Sequence, residues 1–466
     1  MKIHTLTLLM LFGITSLTAQ QLAFPHAEGY GRFAKGGRGG DVYHVTTLDD
    51  YHPKTDQPIV GSLRHAIDSQ TGPRTVVFDL SGRIQLKEPI IVKKPYLTIA
   101  GQTAPGDGIT ISDDSFEIKG SDKSVGTGYL HDYIIRFIRF RHGDESGKTG
   151  DGITTNYVTD YIFDHISASW TIDGTHDLRG GGNFTMQWSV FGEALNQSTH
   201  YKNAAHAMLA SYRAIEMNMT LHHNLMLSSR DRHPTLGTGD RADTTAISDF
   251  RNNVVYNWRG GTNLGEVRHD FINNYYKPGE STNFGYITYL PLQIKSSRAE
   301  NAKGYLRGNF FYNAPTTFNN DNYLAVTYTN TGDYNSTTRE QFEVFRPFVY
   351  GADRPVTQSA QEAYRLVLKY AGASLFRDVV DHRMVKDVEQ GTGRLIDSQK
   401  EVGGWPVYNS KPALKDSDGD GMPDEWEIKN HLNPNDPSDG NKYTLDKNYT
   451  NLEVYLNSLV EHLYEY

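Results

Sequence analysis

Three carboxylates and one guanidinium stand out for the chemistry that their types and spacing could do. Asp151 opens an Asp-Gly-Ile run, and Asp173-Gly-Thr-His-Asp177 follows it. Carboxylates grouped in this way suggest a hard-cation site, because Ca2+ takes oxygen ligands from several carboxylates at once. Further along comes Arg232-His-Pro234. A guanidinium presents a planar fork that fits a carboxylate, so Arg232 suggests a partner for an acidic substrate. Taken singly, each has a plainer reading. Asp173 and Asp177 could be turn-formers, and Arg232 could be a surface ion pair of little worth. Their joint order is what points to chemistry.

A second acidic stretch lies near the C-terminus. Asp416-Ser-Asp418-Gly-Asp420-Gly-Met422-Pro-Asp424-Glu-Trp-Glu427 matches the EF-hand-like calcium loop at each ligand position and at its glycine. Gly421 supplies the sharp turn, Met422 a backbone carbonyl, and Glu427 a bidentate carboxylate on the following helix. This loop is expected to be structural rather than catalytic, since it leads only to a short helix, a Pro-rich turn and a final helix.

The composition bounds the partners. The chain has 466 residues, a formal net charge of −9 and no cysteine. It is long enough for one large domain and a small one. A net negative charge gives nucleic-acid binding no support. An acidic protein acting on an acidic polymer needs cations between the two, and the acidic clusters could hold them. Without cysteine, stability must come from the core and from bound ions. Residues 1–19 read as a signal peptide, with Leu6 to Phe12 as the apolar run. That run is too short to span a bilayer, and no later segment is apolar enough. A secreted or periplasmic monomer is the expectation.

The elements that must position these groups read as follows. Gly29 to Gly40 is glycine-rich without the flanking strand and helix of a phosphate loop, so it reads as tight turns. Gly61 to Ile67 suggests a short helix with Ser62 as N-cap, able to plug the open end of an elongated sheet. From Thr75 onward short apolar runs recur, among them Val76–Phe78, Leu97–Ile99, Ile109–Ile111, Ile134–Phe140, Tyr161–Phe163, Met219–Leu221, Val254–Tyr256 and Phe310–Tyr312. Short strands at such a period, with turn residues between them, are the signature of a β-solenoid. Asparagines recur beside the strands at Asn224, Asn252-Asn253, Asn273-Asn274 and Asn309. Asn tolerates left-handed backbone angles and can stack at equivalent turns of successive coils. The solenoid is expected over residues 20–340. Residues 341–410 change character, with helical spacing from Ser359 to Tyr370 and from Phe376 to Glu389, and read as a helical cover and linker. Residues 411–466 carry the calcium loop.

Gly61-Ser-Leu-Arg, Asp151-Gly-Ile, Phe163-Asp-His165, Asp173-Gly-Thr-His-Asp177, His222-His-Asn224 and Arg232-His-Pro234, in this order, give the chain a resemblance. It is similar to the bacterial pectate lyases of polysaccharide lyase family 1 over most of residues 22–315. The resemblance implies an all-β, right-handed parallel β-helix. It also implies Ca2+ on Asp151, Asp173 and Asp177, bridging to the carboxylates of an acidic polysaccharide, pectate. Arg232 would take the proton from the sugar in a β-elimination. Two departures from the family pattern matter. Gly237 stands where a second Arg is usual, and His206 occupies the approximate place of a substrate-binding Lys, with Lys202 nearby. His200, His206, Lys202, Glu193 and Arg230 are therefore candidates for gripping substrate. Asp164-His165 reads as a buried turn network rather than a ligand pair.

The chemistry is consistent with that reaction. The C5 proton of a uronide is weakly acidic, and a metal on the adjacent carboxylate stabilises the enolate-like transition state. Free arginine is effectively always protonated, so an arginine base needs neighbouring positive charge to release its proton. Two other readings stay open at this point. A glycoside hydrolase would pair Asp151 with Asp173 and leave Arg232 idle. A non-catalytic polysaccharide-binding solenoid would use none of these groups in a reaction.

Overall fold

The computed structural model describes residues 20–121, 128–200, 206–213, 217–237, 245–283, 290–329, 334–351 and 354–464. The expected signal peptide and Lys202 lie outside the described residues.

The chain winds into a right-handed parallel β-helix with three faces. All the strand pairings that build it are parallel, coil on coil. The first face carries Ile90–Val92, Phe116–Lys119, the opening half of Ile153–Asp164, the opening half of His176–Gln187, Ala210–Arg213, Thr235–Gly237, Thr262–Leu264, Leu292–Ile294 and Val326–Thr327. The second runs from Asp41–Val45 and Arg74–Phe78, through the closing halves of the two long strands, to Arg268–Ile272 and Lys303–Arg307. The third runs from Gly82–Gln85 to Phe310–Phe311.

Side chains alternate between the inside of the coil and the outside, as the strand period requires. Leu97, Ile99, Tyr133, Ile135, Tyr161, Phe163, Phe184 and Met186 fill the interior and are fully buried. Corners are turned by single residues in the left-handed conformation. Between the second and third faces these are Phe137, His165, Trp188, His223, Asn252 and Asn273, with φ from 51° to 57°. That conformation is costly for residues other than Gly and Asn. Here the corner rings stack from coil to coil, Phe137 on His165 at 4.8 Å and Trp188 on His223 at 4.2 Å.

Just after this corner runs an asparagine ladder. The Nδ2 of Asn224 donates to Asn253 Oδ1 at 2.9 Å, Asn253 to Asn274 at 3.2 Å, Asn274 to Asn309 at 2.8 Å and Asn309 to Asn322 at 3.0 Å. The same oxygens accept backbone N–H groups, and the second proton of each amide goes to a carbonyl of the preceding coil, as from Asn253 to Leu221. These buried amides are fully satisfied, which makes them an asset to the core.

Helix α1 (Leu63–Asp68), capped by Ser62, closes the first coils by burying Leu63, Ala66 and Ile67 in the same core as Val45 and Val76. Short helices α2 (Thr316–Asn320) and α3 (Arg339–Phe342) follow the last coils. Helices α4 (Ala360–Tyr370) and α5 (Val379–Gln390) form a cover on the third face. Val367, Leu368, Met384 and Val388 pack there on Val190, Leu225, Val254 and Tyr256. Arg141, fully buried beneath this cover, is held by Asp378 and Asp381. Helix α6 (Asp424–Lys429) and α7 (Asn451–Ser458) lie against the first coils, where Met422, Leu452, Tyr455 and Leu456 cover Val77 and Ala100.

Candidate functional site

The groups singled out in the sequence meet at the entry edge of the first face. Asp151 lies on the connection into Ile153–Asp164. Its Oδ1 accepts the Gly174 N–H at 2.8 Å and its Oδ2 accepts Thr154 Oγ1 at 2.8 Å. Asp177 lies on the next coil and points outward, because its neighbours His176 and Leu178 point in and are buried. Its Oδ1 accepts the Ser211 N–H at 3.0 Å. Both carboxylates close on Gly174. A Cβ there would fall 2.8 Å from Asp177 Oδ1 and 3.0 Å from Asp151 Oδ1, so only glycine leaves the space open.

Asp173 borders the same point but faces a different pair. Its Oδ1 lies 2.9 Å from His206 Nε2 and its Oδ2 lies 3.5 Å from His200 Nε2. The two imidazoles stack at 4.0 Å. Burial, with Asp177 and Asp173 beside it, pushes Asp151 well above the usual carboxylate range. Burial also raises Asp177, against the pull of Arg232 and Arg213. Carboxylates raised by burial and by one another mark negative charge that a cation would compensate. The donors are hard oxygens, so the residues present suit Ca2+.

Arg232 approaches from the coil beyond Ser211. It sits in the left-handed conformation at φ 63°, its carbonyl accepts the Ala210 N–H at 3.1 Å, and its own N–H donates to Asp231 Oδ1 at 2.8 Å. Nη1 donates to Ser211 Oγ at 2.8 Å and stands 4.0 Å from Asp177 Oδ2. Arg230 is on the same connection, tied through its backbone to Ala207 and Gly260.

Strand register adds two residues that the sequence reading missed. Thr154, Asp177, Ser211 and Thr235 form one outward row. Asn156, Arg179, Arg213 and Gly237 form the next. Gly237 is the position lacking the second arginine, and Arg213 stands directly beside it in register. Arg179 is exposed next in the row. Strand alternation was the available signal, since each arginine lies two residues past a site residue.

Two of the expected site residues are placed elsewhere. Glu193 is a corner residue with φ 51°, 2 % exposed, on the third-face side of the coil. It accepts from Trp170 Nε1 at 3.0 Å and is ion-paired with Arg383 of the cover. It therefore holds α5 on the coil and does not grip substrate. Asp424 is taken up by Ser417 and Lys415 and does not join the other carboxylates of the acidic loop. Its Oδ1 accepts the Ser417 N–H at 2.7 Å and its Oδ2 pairs with Lys415 at 2.7 Å. The other carboxylates of the loop do gather, as Asp416–Asp418–Asp420 and as Asp420–Glu427–Asp439, and Asp439 was not expected. Met422 buries its side chain in the core, and its N–H donates to Asp420 Oδ1 at 3.0 Å. As expected, Asp164 and His165 form a buried network, with Arg136 at 2.9 Å and Tyr464 at 2.6 Å from Asp164 Oδ2.

Compared with models of protein families, the chain matches none. It is 34 % identical over 464 residues to "Probable pectate lyase C" of Emericella nidulans, covering 97 % of this chain and 96 % of that protein. It is 34 % identical to the protein of the same description from Aspergillus fumigatus, covering 100 % of both chains. Among solved structures, a pectate lyase from Bacillus sp. N165 in complex with trigalacturonate matches with a TM-score of 0.50 at 18 % identity, over 75 % of this chain and 99 % of that one. The major allergen from cedar pollen matches with the same TM-score and identity, over 74 % of this chain and 92 % of that one. These two structures share the fold. The full-length relatives are fungal, so the resemblance drawn toward bacterial enzymes holds for the family and not for the source. The chain belongs to the pectate lyase family.

Proposed function

We propose that this chain cleaves polygalacturonate by Ca2+-assisted β-elimination. The observation that carries the reading is the closure of Asp151 and Asp177 on Gly174, with the Arg232 guanidinium beside them. The kinship with probable pectate lyases along the full chain and the shared fold support it.

In the reaction a proton leaves C5, the C4–O bond breaks, a C4=C5 double bond forms, and the departing oxygen takes up a proton. Ca2+ on Asp151, Asp173 and Asp177, when bound, neutralises the substrate carboxylate and so favours loss of the C5 proton. Arg232 receives that proton. Ser211 fixes its guanidinium at 2.8 Å, so Arg232 acts from one position. The role requires the neutral guanidine, a state that surrounding positive charge favours. Arg213 and Arg179 hold the carboxylates of neighbouring sugars in place of the arginine that Gly237 lacks. His206 and His200 orient Asp173. The leader-like apolar run within residues 1–19 supports export of the enzyme.

The test is to incubate the protein with polygalacturonate, with and without a chelator, and to follow ultraviolet-absorbing unsaturated product. Product should form with Ca2+, stop on chelation and return on adding Ca2+. Full activity in excess chelator, or saturated product only, would overturn the reading.

A further inference from the structure

A second acidic site lies against the first coils. Three of its carboxylates are buried, Glu427 at 0 %, Asp420 at 4 % and Asp439 at 6 % exposure. Asp416 Oδ2 accepts the Gly421 N–H at 2.9 Å, Asp420 Oδ1 that of Met422 at 3.0 Å, and Asp439 Oδ2 that of Asn433 at 3.0 Å. The opposite oxygens are different. Asp418 Oδ2, Asp420 Oδ2, Asp439 Oδ1 and both oxygens of Glu427 are buried with no hydrogen-bond partner among the described residues. Leaving so many carboxylate oxygens dry and unmatched would be very costly without a cation. Their spacing suits one. Ligand oxygens of Asp420, Glu427 and Asp439 lie within 4.8 Å of one another, as do those of Asp416, Asp418 and Asp420.

We propose that Asp416, Asp418, Asp420, Glu427 and Asp439 hold one Ca2+, apart from the cleft, and that this ion fastens the segment from Lys415 to Tyr464 onto the coil. Asp439 comes from outside the loop, so the ion joins two stretches of chain. Gly440 allows the approach, since a Cβ there would fall 2.6 Å from Asp420 Oδ2. The second stretch leads straight into α7. Asn451 Nδ2 donates to the Asp439 carbonyl at 2.9 Å and the Leu452 N–H to the Gly440 carbonyl at 3.0 Å. Helix α7 then lays Leu452 and Leu456 on Val77 and Ala100, and Asn457 accepts from Arg136 at 3.0 Å. Beyond it, Tyr464 closes over the Arg136–Asp164 pair. The inference is independent of the lyase reading.

The test uses the full chain and Ca2+ alone. Calorimetric titration of the wild type should show two binding events. Glu427→Gln and Asp439→Asn should each lose one event and keep the other, while Asp177→Asn should lose only the cleft event. Asp424→Ala should keep both. Melting separates a metal role from packing. Without Ca2+, Glu427→Gln and Asp439→Asn should melt at or above the wild-type temperature, because each removes charge from a crowded site. With Ca2+ they should lose most of the rise that Asp177→Asn retains. A packing role would instead lower melting both with and without the ion. A second measurement leaves the site intact. Tb3+ bound to Asp177→Asn should luminesce through Trp426, the neighbour of Glu427, and lose that signal in Trp426→Phe. Unchanged stoichiometry in Glu427→Gln and Asp439→Asn, a loss in Asp424→Ala as large as theirs, or Tb3+ emission indifferent to Trp426 would overturn the proposal.

Discussion

Arg232 Nη1 stands 4.0 Å from Asp177 Oδ2 across the intervening strand that carries Ser211, whose hydroxyl accepts from the same nitrogen at 2.8 Å. One side chain is thus bound to the scaffold and faces a carboxylate expected to hold the metal. Arg232→Lys keeps the charge but loses the planar fork. It is expected to leave folding and Ca2+ binding intact and to lower turnover about a hundredfold or more, the usual scale for a general base. Arg230→Lys should cost far less. Steady-state kinetics on polygalacturonate checks both, and the reverse pattern would move the base to Arg230.

Asp151 and Asp177 each use one oxygen to accept a backbone N–H. Asp151→Asn and Asp177→Asn preserve size and remove one ligand charge. Each should raise the Ca2+ concentration for half-maximal activity by about tenfold or more. Activity against free Ca2+ gives the answer, and an unchanged midpoint in both would reduce these residues to turn-formers.

Arg213 lies in register beside Gly237, and Arg179 one strand away in the same row. Arg213→Ala should raise KM for polygalacturonate about fivefold or more and leave kcat within about twofold, as expected for a group that binds ground and transition states alike. The exposed Arg179 should contribute less, and its effect should fade with added salt. A fall in kcat at constant KM would place Arg213 in the chemistry instead.

Several histidines are held neutral inside the protein. Burial lowers His176 to about 3 and His223, His233 and His269 each to about 4. In the unfolded chain such groups titrate near about 6.5. Between these values the unfolded chain binds more protons than the folded one. The stability linked to these groups is therefore full above about pH 6.5 and is lost progressively as pH falls toward about 4. Melting temperature should drop steeply across that window, and His269→Gln should shallow the slope. A flat profile over the window would refute this.

The coil was legible because its period lies in the residues themselves. Asn224, Asn253, Asn274 and Asn309 gave its corner, and the apolar runs gave much of its second and third faces. Ile134–Phe140 read as one run, yet it is two strands broken at Phe137, whose left-handed backbone no local signal announced. The first face was nearly silent. Its strands Ile153–Asn156, His176–Arg179 and Ala210–Arg213 bury few large apolar side chains and turn polar ones outward, so Arg179 and Arg213 went unread. Asp151, Asp173, Asp177 and Arg232, which the structure brings to one edge of the first face, were legible as short motifs. What failed depended on distant contacts. Glu193 looked like a cleft residue until Arg383 and Trp170 took it, and Asp439 joins the acidic loop only because the chain folds back beside Gly440.

The asparagine ladder bears on how such a molecule changes length. Each interior rung, Asn253, Asn274 and Asn309, meets the same two neighbours, an amide donor behind and an amide acceptor ahead, so these sockets are interchangeable. A duplicated coil carrying its own asparagine would enter between Asn253 and Asn274 with every bond re-formed. The ladder also has a direction, since from Asn224 to Asn309 each Nδ2 donates one proton to the Oδ1 of the following rung, and a coil entering reversed would set oxygen against oxygen. Growth by whole turns is tolerated and misalignment is penalised, an economy in which the barrel can lengthen without being redesigned.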